Sequence, residues 1–483
     1  MLPNNYLSTY RVPPLAMLVL LIALVQGTST SLTIVYHFAR PLEAMVNIVW
    51  MGTYALAGAG LFASFGVNWI TWLMRYRFLL VVLLVGVVVS AFWSLDSILT
   101  IERSVHLVGS TFIAFFIGFT VPLSRIISIS AAVFTVLMIL SAALAIGFPE
   151  FGTEEYAGIM AWKGIMAAKN TLGFWASIAC MLCVAMFSRY YRQTAKALVW
   201  LLAFAVALLC LIKSESATSL LALGVAGVIT TGLTVAHRFR LGLIATLVLA
   251  SLAIGVIVVL FQQINTAELI GRSGDLTGRG EVWSQTWKII LDRPLTGYGY
   301  GTLWYPTEAS ARIQQSLLDF TWVVYHAHNG FLQVASEIGL PMAFIALLMV
   351  LQQMVELIYC QYQRQQIGTR FVIAFSAALL LSNYSEARFL VNREMYWIFF
   401  IMMPISMLQQ VSVVMRDGQL NPLPLPLNDK IRAKAQDRVA TRSRRREMKS
   451  RLKNARQINP TEPGAEDTGH ILDGQLTQKR SNP

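Results

Sequence analysis

The chain has 483 residues, of which 56% are hydrophobic and only 13% charged, where a soluble globular protein carries about 25% charged residues. That balance excludes a soluble enzyme, a disordered chain and a nucleic-acid reader held by one membrane anchor. The net charge is +13, and residues 416–483 hold 15 Lys/Arg against 8 Asp/Glu, so +7 of it sits in one terminal tail; for a membrane protein this reads as a basic cytoplasmic tail, not a nucleic-acid surface.

A helix crossing a bilayer needs about 20 mostly apolar residues. In chain order, apolar runs at 14–35, 42–64, 78–94, 104–121, 126–148, 171–188, 197–213, 218–236, 241–262, 328–350, 367–384 and 394–415 predict twelve spans. The expected fold class is therefore all-α and polytopic, with a membrane domain over 1–415 and a basic, mostly disordered tail over 416–483. Arg11 and the run from Leu15 read as a first span, since no small-residue cleavage site follows. That span is interrupted by Gly27-Thr-Ser-Thr-Ser31, and the strongly apolar core of the eleventh runs only from Phe371 to Leu381. Cys180, Cys183 and Cys210 lie inside apolar runs and Cys360 at the end of one, which implies small apolar fillers and no disulfide framework.

The basic residues orient these spans. With a cytoplasmic N-terminus, alternate loops hold Arg75 and Arg77, then Arg125, then Arg189, Arg192 and Lys196, then Arg238 and Arg240, then Arg364 and Arg370, and the tail completes the set. Twelve spans put every short basic loop and both termini on one side. On the other side residues 149–170 form a modest loop and residues 263–327, between spans 9 and 10, a long one. Loops of that length are functional or disordered, and Trp283, Trp287, Tyr298, Tyr300 and Trp304 argue against disorder.

Polar residues cluster at the outer ends of the spans: Trp162-Lys-Gly164 with Lys169-Asn170-Thr-Leu-Gly173, Lys213-Ser-Glu215-Ser-Ala-Thr-Ser219, Arg279 through Trp283 leading into Gly297-Tyr-Gly299-Tyr-Gly301, and His326-Ala-His328-Asn329 with Glu337-Ile-Gly339. Each has a structural reading, Lys169 as a snorkelling anchor or His328-Asn329 as a helix cap. Together they gather cations, imidazoles and amides at one membrane edge, where ionisable groups default to function. Arginine suits phosphate oxygens, a near-neutral histidine suits removal of a hydroxyl proton, and aromatic faces suit sugar rings. A lipid-diphosphate-linked sugar fits that set. The glycine-rich 297–301 stretch lacks the strand and spacing of a nucleotide site, His326 and His328 are only two apart, and no Asp-x-Asp occurs, so no metal and no cofactor is expected.

At these residues the chain resembles the bacterial O-antigen ligase/polymerase superfamily, and within it the exopolysaccharide polymerase branch. Trp93-Ser94-x-Asp96 with Thr100 and Arg103 resembles the family's Trp-Ser-x-Asp-Pro-x-x-Thr-x-x-Arg stretch, with Ser97 in place of the proline. Trp162-x-Gly164 and Lys169-Asn170-x-Leu172-Gly173, Arg279-x-x-x-Trp283, Arg293-Pro294-Leu295-x-Gly297, His328-Asn329 with Glu337-x-Gly339, and Tyr384-x-Glu386 with Trp397 follow in the family's order. The resemblance implies a membrane glycosyltransferase, needing neither nucleotide nor metal, that takes an undecaprenyl-diphosphate-linked glycan to an acceptor glycan hydroxyl on the periplasmic face of the bacterial inner membrane. It implies Arg279 on the diphosphate and His328 at the acceptor, as the catalytic pair. Lys169, Asn170, Lys213, Trp283, Asn329 and Glu337 are the expected substrate-binding residues. Many members carry a basic residue where this chain has Ala217; in a continuous helix Lys213 would share that face and replace it. Polymerisation of repeat units is the first expectation and transfer of a finished glycan to lipid A core or protein the second. A flippase is a third, though no internal repeat or midplane charge supports it. Other polysaccharide-assembly proteins and membrane lipids are the expected partners, with no nucleic acid.

The orientation is testable with Ser273→Cys and Ser450→Cys. In intact cells a membrane-impermeant thiol reagent should label the first and leave the second untouched; the reverse pattern overturns the topology.

Overall fold

A computed structural model describes residues 12–28, 43–156, 158–239, 279–304, 324, 326–363 and 367–414. Helices dominate, as the apolar runs require: α1 (Pro14–Gln26), α2 (Glu43–Phe65), α3 (Asn68–Tyr76), α4 (Phe78–Val89), α5 (Ser97–Thr120), α6 (Leu123–Gly147), α7 (Lys169–Tyr190), α8 (Thr194–Lys213), α9 (Ala217–Arg238), α10 (Arg279–Asp292), α11 (Gly330–Ile338), α12 (Leu340–Gln363), α13 (Ile367–Ser385) and α14 (Met395–Val414). Among the described residues the strands are one short antiparallel pair, β1 (Thr153–Tyr156) and β2 (Ile159–Trp162), with Thr153 opposite Trp162.

Among the described residues, seven helices (α2, α5, α6, α7, α8, α9 and α12) are long and apolar enough to cross a membrane, and the pair α3–α4 makes an eighth if its 98° bend lies within one span. A helix stands at every predicted run except 241–262, which lies outside the described residues, as do most of 263–327 and all of 415–483. Three boundaries differ from expectation. The fourth run begins at Ser97, seven residues early, because the Asp96 carboxylate accepts the Leu99 N–H at 2.9 Å and caps the helix there. The third is a twelve-residue helix turned sharply at Arg77, whose guanidinium meets Glu356 of α12 at 2.6 Å. The tenth run is two helices. Gly339 at φ +88° ends α11 and lets α12 restart at Leu340; a Cβ there would fall 2.2 Å from the Leu295 carbonyl oxygen.

α5 and α7 are the inner helices, with 78% of their apolar windows buried against 28% for α8 and α9. α5 packs on α2 and α14, α7 on α8, and α9 on α13. Trp175 of α7 stacks between Phe134 and Tyr396 at 4.9 and 4.7 Å, tying α6, α7 and α14 together. Arg77 with Glu356, Arg189 with Ser128 and Arg370 with Thr234 mark one end of the bundle, and these are the basic residues that the alternation places on the cytoplasmic side.

At the other end the tryptophan-serine-aspartate turn before α5 holds the glycine-rich segment after α10. The Trp93 indole donates to the Thr296 carbonyl (2.8 Å), the Leu95 N–H to Tyr298 (3.0 Å) and the Thr100 hydroxyl to Tyr300 (3.1 Å). Arg103 donates to the Gly301 carbonyl, and the Tyr300 N–H donates to the Ser90 hydroxyl at 3.0 Å. On its far edge the segment donates from Tyr298 and Gly299 to the Ser336 and Glu337 carbonyls of α11. Beneath it a small apolar core joins Val282 and Ile289 of α10 to Leu303, Trp304, Val324 and Ala327. The glycine-rich stretch is thus a latch between α5 and α11, and the motif residues are its fastenings.

Gly299 has φ +100°, and a Cβ there would sit 2.1 Å from the Ser94 hydroxyl. Gly299→Ala should cost about 1–3 kcal/mol of local stability and expose the 293–304 segment of the purified protein to protease. Gly224→Ala, with nothing within 4 Å of its added carbon, should not. Equal cleavage of both would show that the latch carries no such constraint.

Candidate functional site

Beside the latch, three elements bring ionisable groups together. The chain enters α11 through His326, Ala327, His328 and Asn329. Asn329 is the cap: its side-chain oxygen accepts the N–H groups of Phe331 and Leu332 at 3.0 and 3.1 Å, and its amide donates to the Tyr384 carbonyl at 3.3 Å. His328 lies just outside the helix at φ +49°, a strained value for a residue with a side chain. Its carbonyl accepts the Trp283 indole N–H from α10 at 3.2 Å, and Trp283 meets Tyr384 edge-on at 5.2 Å. The two imidazoles lie 4.1 Å apart, and both face one oxygen of Glu386, His326 Nε2 at 3.6 Å and His328 Nδ1 at 3.7 Å.

Glu386 follows the end of α13 and is 8% exposed. Its other oxygen accepts the Asn170 amide N–H from the first turn of α7 at 2.8 Å. Burial alone would push this carboxyl up, but contact with His328 and the charges of His326 and Arg388 outweigh it and hold the carboxyl well below the usual range. Arg388 is buried two residues on. It lies over the Phe174 and Tyr396 rings at 4.8 and 4.5 Å, and it donates to the Ser382 hydroxyl, the Tyr396 hydroxyl and the Asn170 carbonyl. Ser385 donates to Thr218 in the first turn of α9 at 3.1 Å, so α7, α9, α11, α13 and α14 all reach this cluster.

The expected site residues divide. Asn170, His328, Asn329 and Trp283 meet here. Lys169 is buried beside Asn170, with its backbone N–H on Glu154 at 3.2 Å. Glu337 belongs to the latch, where Gln333 donates to it and Arg103 lies near. Arg279 opens α10 one turn before Trp283, and its side chain lies outside the description. Lys213 is exposed at the last position of α8. Glu215 at φ +51° breaks the chain before α9 begins at Ala217, so the helical face that Lys213 and position 217 were expected to share does not form.

In the sequence Glu386 stands only as part of a motif, and Arg388 belongs to none. Their signal was two opposite charges, Glu386-Ala-Arg388, at the end of an apolar run. With both histidines, Glu386 makes the three-donor grouping that the His-x-His spacing alone did not reveal: one ligand atom from each lies within 4.8 Å of the others.

A cluster of this kind at one end of a helical bundle defines a polytopic membrane protein with a candidate acid–base centre. Residues 202–347 match the family model described as O-antigen ligase. That span holds α9, α10, the latch, His328 and α11, while Asn170, Glu386 and Arg388 lie outside it and reach His328 only through the fold. Over 214 residues the chain is 30% identical to "Exopolysaccharide production protein ExoQ" of Rhizobium meliloti (strain 1021), covering 42% of this chain and 48% of that protein; the chain thus spans about half the length of the curated relative it matches. Over residues 202–347 the chain is therefore similar to the O-antigen ligase family, in the direction that the motif resemblance implies.

Burial pushes the Glu337 carboxyl up from 4.5 to about 7, against the lowering effects of the Gly301 backbone, Arg103 and Gln333. The folded chain then keeps a proton that the unfolded chain releases, so stability falls as pH rises from about 4.5 to 7. Glu337→Gln should remove that slope: in melting curves from pH 5 to 8 the wild type should lose ground to the variant toward alkaline pH. Parallel curves would place the titration elsewhere.

Proposed function

We propose that this chain is a multi-pass glycosyltransferase of the bacterial inner membrane, with both termini in the cytoplasm. It joins undecaprenyl-diphosphate-linked repeat units into an exopolysaccharide on the periplasmic face. The observation that carries the reading is His328, seated beside Glu386 and Asn170 at the end of the bundle opposite the basic loops, inside the O-antigen ligase segment. The likeness to an exopolysaccharide production protein favours polymerisation. The family description favours the second reading, transfer of a finished glycan to lipid A core or protein.

In this reading the acceptor hydroxyl approaches His328, which takes its proton as the oxygen attacks the donor's anomeric carbon. The bond from that carbon to the diphosphate breaks, with its electron pair leaving on the diphosphate. Arg279 holds that charge through its two-pronged fork, supported by Lys169 and, from the end of α8, Lys213. Aromatic side chains of the outer loop hold sugar, and Trp283 also fixes the His328 backbone. The donor supplies the driving force, so no nucleotide and no metal is required. The substrates are a lipid-linked donor and an acceptor glycan, and residues 416–483 form a basic cytoplasmic tail.

Purified, reconstituted variants with a lipid-linked donor test this. Arg279→Ala should lose roughly 10–150-fold in transfer rate, the worth of one charge-assisted contact made in the transition state, and Arg279→Lys should recover only part. His328→Asn should be nearly inactive. Near-normal transfer by His328→Asn would remove the base assignment, and full activity of Arg279→Ala would remove the clamp. In cells lacking the gene, a single lipid-linked repeat unit without polymer supports the polymerase, and polymer retained on the lipid carrier supports the ligase.

A further inference from the structure

We propose that Glu386 is the positioning residue that fixes the tautomer of His328, so that Nδ1 carries the proton and Nε2 takes the proton of the acceptor hydroxyl. The inference rests on the glycosyl-transfer reading and assigns, within it, the reacting nitrogen and the group that holds it.

The geometry points to this in three steps. The His328 backbone N–H donates to His326 Nδ1 at 3.2 Å, so that nitrogen is an acceptor and neutral His326 carries its proton on Nε2. His326 Nε2 faces Glu386 at 3.6 Å, and His328 Nδ1 faces the same carboxylate oxygen at 3.7 Å. Two imidazole nitrogens turned to one anionic oxygen are each best satisfied as N–H donors, which leaves the lone pair of His328 on Nε2. The separations exceed hydrogen-bond length, as those of catalytic pairs do before substrate tightens them. The carboxylate is itself held. Asn170 fixes its second oxygen at 2.8 Å, and Arg388, seated over Tyr396 and Phe174, adds its charge to the effects of His328 and His326 that hold the carboxyl below the usual range. When His328 Nε2 gains the acceptor proton, the imidazolium lies against an anion already in place, and no charge has to be brought in. Among the described residues, the titratable and charged groups around His328 are Glu386 and Arg388 after α13, His326 on its own segment, and Lys169 beside Asn170 at the start of α7.

The test compares Glu386→Gln, Glu386→Asp and His328→Asn, reconstituted and supplied with lipid-linked donor, from about pH 5 to 8. Glu386→Gln should lose about 100-fold or more in kcat, with the donor KM within about threefold of wild type. Glu386→Asp should recover part of kcat. A loss in Glu386→Gln confined to KM, or no recovery in Glu386→Asp, overturns the proposal. If His328→Asn is nearly inactive and Glu386→Gln is normal, the positioning role falls and the glycosyl-transfer reading stands; if His328→Asn is normal, the base assignment falls with it. Activity lost to a chelator and restored by a divalent cation would make the three donors ligands and overturn the tautomer assignment. The wild type gives a check that needs no variant. Its 15N-histidine spectrum at neutral pH should show His328 protonated on Nδ1, and the opposite tautomer overturns the proposal.

Discussion

A carboxylate with little access to water must be compensated by its neighbours or give up its charge. Glu386 meets that condition with an amide from α7, two imidazoles from the entry to α11, and a guanidinium two residues along its own chain. Removing one partner of such an arrangement leaves the others buried and uncompensated, so its members depend on one another. The packing follows from that need. The charge of Arg388 acts on Glu386 from a flat seat that Phe174 and Tyr396 give its guanidinium, and both rings pack against Trp175, which stacks into the centre of the bundle.

The latch does for the outer segment what the aromatic stack does for the helices. A segment fastened by Trp93, Thr100 and Arg103 on one edge and by the α11 backbone on the other has little freedom to wander. It therefore fixes where α11 begins, and with it His326 and His328. The Trp283 indole, spent on the His328 carbonyl, adds a fastening from α10. The proposed glycosyl transfer, which would bring two large glycans together, would gain from such fixed geometry, since orientation supplies much of the barrier reduction.

The helical architecture was legible in the sequence because long apolar runs leave few alternatives and the basic residues alternate along the chain. What the runs could not show were backbone events within them. Gly339 splits one run through a left-handed torsion, Glu215 separates Lys213 from position 217 in the same way, and the bend at Arg77 depends on a partner, Glu356, far along the chain. Hydropathy carries no trace of these. At the site, Asn170, Trp283, His328 and Asn329 were visible as motif residues, whereas Glu337 was drawn into the latch. The partnership of Glu386 with His328 was hidden because it is made in space, between the end of one helix and the beginning of another.

The separation in sequence also orders events in time. Asn170 and Glu386 are 216 positions apart, and Trp93 and Thr296 are 203 apart. A chain made from its N-terminus releases Asn170 and Trp93 long before their partners exist, and such distant pairings close late in folding. A nascent chain can place its early helices in the lipid with no assembled centre. The residues from Glu386 to Tyr396 supply the carboxylate, its arginine and half of that arginine's aromatic seat. Synthesis of that short stretch is thus what completes the cluster in an inserted bundle, and a chain interrupted before it would occupy the membrane without the carboxylate that its histidines face.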